Sequence, residues 1–195
     1  MSGKLVGGFI VIAALIFGAV VYYYQEYGYY QPVKADGVDD VMLTSLVSEQ
    51  PEPILYEDFQ AVDADSSPIR YRACFTTTQS LAMMTETYET YEKPDPLNAP
   101  TWFSCFDAQK IGTALTSGQA VAFLGQENIH YGIDRVVAVF PDGHGYVWHQ
   151  INHCGKVVFD GKPVPEDCPP KAGVPNESDA AVPGGTGPET QSESD

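Results

Sequence analysis

The side chains best equipped for chemistry crowd the later part of the chain: Asp142, His144, His149 and His153, with His130 upstream. Imidazoles beside a carboxylate suggest a metal site. Their spacing argues against one. On a strand His149 and His153 share a face, but they stand about 13 Å apart at roughly 3.3 Å per residue. One ion cannot join them unless the chain leaves strand geometry near Asn152. His149 also shares its face with Val147 and Ile151, the setting of a packed, hydrogen-bonded histidine. His144, His149 and His153 are kept as the candidate ligands of an alternative metal reading, and no metal or other cofactor is expected.

The four cysteines are Cys74, Cys105, Cys154 and Cys168. No two of them have the close spacing of a zinc pair or of a C-x-x-C redox motif. An even number of widely spaced cysteines reads as two disulfides in an oxidising compartment. Three pairings are compatible with four cysteines, and the sequential one, Cys74–Cys105 with Cys154–Cys168, is expected. Other catalytic signatures are missing from the sequence. There is no G-x-S-x-G. The glycine pairs lie in an apolar run (Gly7, Gly8) and near the C-terminus (Gly184 to Gly187), where neither forms a phosphate loop.

The elements that must position these groups begin with Leu5 to Tyr24, twenty residues without charge or proline. As a helix they span roughly 30 Å, the thickness of a bilayer's hydrocarbon core. Six tyrosines between Tyr22 and Tyr30 crowd the exit, where amphipathic rings prefer the headgroup level. The run is longer than the core of a signal peptide and lacks an Ala-x-Ala exit, so an uncleaved signal anchor is expected. Lys4 precedes it and acids follow. Residues 1–4 are therefore placed in the cytoplasm, residues 5–24 in membrane lipid, and the rest outside.

Residues 25–53 read as a membrane-proximal stalk, with a short helix over Val41 to Val47. Residues 54–168 read as one α+β domain. Its expected elements are a hairpin from Ile54–Val62 and Ile69–Phe75, a helix over Thr76–Lys93 and a second helix over Asp107–Ser117 capped by Asp107. Ala120–Leu124 is expected as a central strand covered on both faces. The sequences RVVAVF and YVWHQI, joined by PDGHG, make a hairpin, and Val157–Phe159 a last short strand. Residues 169–195, rich in Pro, Gly, Ser and acids, read as a disordered acidic tail. The fold class is thus one transmembrane helix, then a mainly antiparallel sheet with two or three helices, then a tail.

The formal net charge is −16. Such acidity repels phosphate backbones, so no nucleic-acid partner is expected. The anchor together with ACFTTTQS, TWFSCFDA and GIDRVVAVFPDGHGYVWHQINHCG resembles an uncharacterised family of small single-span proteins from alphaproteobacteria. The resemblance implies a periplasmic domain at the inner membrane and brings no activity with it. The expectation is a non-enzymatic domain that binds an unidentified envelope protein. The alternative is a periplasmic metal sensor or enzyme built on the histidine hairpin.

Overall fold

A computed structural model describes residues 3–176. Helix α1, Gly3–Tyr23, buries none of its residues and runs into a single π-helical turn, Tyr24–Gly28. It is long and apolar enough to cross a membrane. Strands β1 (Gln31–Val33), β2 (Met42–Thr44), β3 (Pro51–Pro53), β4 (Glu57–Asp63) and β5 (Arg72–Thr76) follow, then helices α2 (Leu81–Thr87) and α3 (Ala108–Thr116). Strands β6 (Val121–His130), β7 (Ile133–Val139) and β8 (His144–Ile151) and helix α4 (His153–Phe159) complete the order. Six strands form one sheet in the order β1-β4-β5-β8-β7-β6, while β2 and β3 form a separate hairpin. Every strand pairing is antiparallel.

The continuous apolar runs of β7 and β8 are explained by burial on both faces. Val137, Val139 and Val147 point into a core with Val41, Leu43, Met84, Tyr88 and Phe123. Val136, Ala138, Tyr146 and Trp148 point the other way, against Phe103, Phe106 and Ile111. The β2–β3 hairpin and α2 cover the first face, and α3 with the 94–107 loop covers the second. Each large side chain taken fully out of water in this way contributes about 1.5–3 kcal/mol. The turn between β7 and β8 relies on Gly143 at φ 87°, a left-handed conformation that costs glycine little.

Several expectations need correction. The supposed stalk supplies β1, which pairs with β4, and residues 41–45 reach the core while Leu46 and Val47 stay exposed. Val41 and Leu43 are fully buried two positions apart. That is a strand's period, so 41–47 is a strand and turn and not a helix. The first helix is shorter than expected. After Thr87 the chain turns extended: the Glu89 carbonyl accepts from the Leu124 amide, and the Tyr91 amide donates to the Ala122 carbonyl of β6. Pairing with β6 thus takes over where the apolar stripe alone would have continued the helix. β6 is consequently the last strand of the sheet order instead of a central one, and the 88–91 segment covers its outer edge.

The second helix is present, with Asp107 accepting from the Lys110 amide at 3.0 Å. Val157–Phe159 lies in α4, because Asn152 caps a helix there by accepting from the Gly155 amide at 2.9 Å. The beginning of the expected tail is ordered: the Val164 amide donates to the Pro175 carbonyl at 2.9 Å. Residues 177–195 lie outside the described residues.

Candidate functional site

One concavity of the domain is a groove of about 1100 Å³. Its walls come from the turn after β2, the extended 89–93 segment, the ends of β6, β7 and β8, and the start of α4. One buried carboxylate organises its floor. Asp134, next to the first residue of β7, accepts from the Tyr91 hydroxyl at 3.0 Å, the Asn128 amide at 3.0 Å and the Asn152 side-chain amide at 2.7 Å. Asn128, at φ 47°, closes the β6–β7 turn by accepting from the Gly132 amide at 2.9 Å. Gln150, also buried, accepts from the Asp95 amide at 2.8 Å and the Trp148 indole at 3.1 Å. It donates to the Lys93 carbonyl at 3.0 Å.

The floor is therefore tied together by its own polar groups, as buried polar groups require. The rim carries the charge. Glu49, Glu89, Glu92 and Glu127 line the groove together with Lys93 and Lys156. The carboxyl of Glu127 is pushed up, first by partial burial and then by the like charges of Asp134 and Glu89. Burial and the neighbouring Asp134 carboxylate push the Tyr91 phenol up as well, so it stays a neutral donor. A cation entering here meets carboxylates that repel one another.

The three candidate histidines do not gather. His149 is 4 % exposed. Its Nδ1–H donates to the Pro68 carbonyl at 2.8 Å, and its Nε2 accepts from the Arg135 guanidinium at 3.1 Å. It stacks on Tyr71 at 4.8 Å between ring centroids. Both ring nitrogens are used, which leaves none for a metal. Burial, then the neighbouring Arg135 charge, bring its pKa down to about 3. His144 is exposed and pairs with Asp142 at 3.1 Å. His153 lies at the groove's end, 3.7 Å from Asp167. Among the described residues, the one donor cluster of metal-site dimensions is His153, Asp167 and Cys168. Its third donor is committed, because Cys168 is joined to Cys154.

The other disulfide joins Cys74 to Cys105, so both bridges follow the sequential pairing. Cys74–Cys105 fastens the 94–107 loop to β5. Cys154–Cys168 fastens the segment after α4 to its first turn. Gly155 of that turn lies so close to the β6–β7 turn that a β-carbon there would stand 2.2 Å from the Gly132 carbonyl oxygen. Spacing alone did not point to the groove. The signals present in the sequence were the acids Glu89, Glu127 and Asp134 and the turn formers Asn128, Gly132 and Asn152.

Fold and site together define an antiparallel α+β domain with a polar groove, held by two disulfides and preceded by a helix able to cross a membrane. The chain belongs to DUF6446, a family of unknown function whose model matches residues 41–169. That match starts at Val41, which is fully buried in the core. No curated protein and no solved structure matches the chain.

Proposed function

We propose that this chain is a single-pass protein of the bacterial inner membrane, with residues 1–4 in the cytoplasm and the domain in the periplasm. Its groove binds a basic segment of an envelope protein and performs no chemistry on it. The observation that carries this reading is the groove's division of labour. The polar groups of the floor are engaged with one another, and the rim presents carboxylates in mutual repulsion around Glu127. A Lys or Arg side chain relieves that repulsion, and the preformed floor lowers the ordering cost of binding. The net charge of −16 disfavours a nucleic-acid partner. Both bridges suit an oxidising compartment.

The test is site-specific photo-crosslinking in intact cells. A photoreactive residue at Thr90, on the groove wall, is expected to give one discrete adduct with an envelope protein. Glu127→Lys should abolish the adduct while leaving the amount of folded chain unchanged. Equal yields from Thr90 and from the exposed Leu55, or an adduct indifferent to Glu127→Lys, would overturn the groove as the binding site.

A further inference from the structure

The junction between α1 and the domain is not a free tether. Glu26 lies in the π turn, and its carboxylate accepts from both the backbone amide and the hydroxyl of Thr101. The indole N–H of Trp102 donates to the Glu26 carbonyl at 2.7 Å. Tyr30 meets Trp102 edge to face at 6.4 Å, and the Arg70 guanidinium stands 5.5 Å from the Tyr30 ring centroid. Three residues beyond Trp102, Cys105 is bridged to Cys74 of β5. The loop that grips the anchor is thus covalently fixed to the sheet.

This geometry sets a height. Glu26 follows Tyr24, the last residue of the apolar run, by two positions, or about 3 Å along the helix axis. The headgroup layer on one side of a bilayer is about 5–7 Å deep, half the difference between the full thickness and the hydrocarbon core. A side chain bonded to the backbone of Glu26 therefore lies inside that layer. Trp102 is 40 % exposed despite its size, and a part-exposed indole whose N–H is bonded suits the membrane–water boundary. The strongly acidic chain gains nothing from anionic lipid, so the contact is aromatic and not electrostatic.

We propose that Trp102 seats the domain in the headgroup layer where α1 leaves the bilayer, making the 94–107 loop a lipid-contacting surface with phospholipid as its partner. This rests on the reading of α1 as a membrane span. The full chain, reconstituted into phosphatidylcholine vesicles, carries two tryptophans, of which Trp148 is fully buried. Quenching by spin-labelled headgroups, and by lipids brominated high or low on the acyl chain, is compared between the wild type and Trp102→Phe, so that the difference reports Trp102. The expected result is loss of most Trp102 emission to the headgroup and upper-chain quenchers and little loss to the deep one. Glu26→Ala, which removes both bonds to Thr101 and leaves the backbone acceptor of the indole, should raise the share of Trp102 emission open to aqueous iodide. A chain that fails to float with the vesicles removes the span and the proposal together. A chain that floats while Trp102 is quenched by iodide and not by lipid leaves the span intact and overturns the seat.

Discussion

Acid should destabilise this domain through one buried ring. His149 titrates near pH 6.5 when free and near pH 3 in the fold, first because it is buried and second because Arg135 holds a positive charge against its Nε2. The unfolded chain takes up a proton as the pH falls through 6.5, and the folded chain does not until about pH 3. The neutral ring's contribution to stability is therefore complete above pH 6.5, falls across that window, and stops changing below it. Moving from pH 7 to pH 5 should lower stability by about 2 kcal/mol from this group alone. The assay is denaturant unfolding of the full chain in detergent, followed by tryptophan emission at several pH values. His149→Gln should cost stability at pH 7, because the stack on Tyr71 is lost, yet its stability should fall by about 2 kcal/mol less than the wild type's between pH 7 and pH 5. Carboxylates shared by both proteins cancel in that comparison. Parallel pH profiles for the two proteins would refute the reasoning, since they would mean that the folded ring titrates as a free one does.

Two further outcomes follow from the braces and the anchor. Replacing Cys154 and Cys168 together by Ser should lower stability by about 3 kcal/mol, as expected for a loop of this length, and should loosen α4 while the β7–β8 hairpin keeps its amide protection. Hydrogen exchange resolved by peptide checks this, and uniform loosening of the whole sheet would contradict it. A phosphatase reporter that works only in the periplasm, fused after Asp195, should be active, and a reporter confined to the cytoplasm should be silent. The opposite pattern would invert the proposed topology.

The legible parts of the sequence were those settled by neighbours in the chain. The span from Leu5 to Tyr24 is a composition signal. The β7–β8 hairpin combines apolar runs with a turn only a few residues long, and Asp107 announces α3 from the adjacent position. Where distant partners decide, the reading went astray. In Val41–Val47 the apolar residues fit a helix through Leu43, Leu46 and Val47 and a strand through Val41 and Leu43, and packing against Met84 and Val137 selects the strand. Residues 88–91 continue a helical stripe in sequence, but β6 offers them backbone partners more than thirty positions away. Val157–Phe159 is β-branched enough to pass for a strand, and the Asn152 cap decides for a helix. The groove was the hardest to foresee. Asp134, Tyr91, Asn128 and Asn152 come from separate segments and acquire meaning only when the sheet brings them together. His149 is conspicuous by type, and the fold packs it on Tyr71 with both ring nitrogens hydrogen-bonded.

The two ends of the molecule are coupled through the second core. β1 begins three residues after Gly28 and is one edge of the sheet, while the groove opens beside β6 at the other, five inter-strand steps away. Along the sheet that is on the order of 24 Å. Between them runs the 94–107 loop. It holds the anchor through Thr101 and Trp102, meets β5 through Cys105, and at Asp95 donates its amide to Gln150 on the groove floor. Gln150 in turn receives the indole of Trp148, packed between β7 and the Phe106 ring. This chain of contacts ties the groove to the end of α1. Glu26→Ala, which removes both bonds to Thr101, should therefore loosen the loop's hold on α1 while leaving the groove intact, so that hydrogen exchange rises in the 94–107 loop and not in β6 or β7.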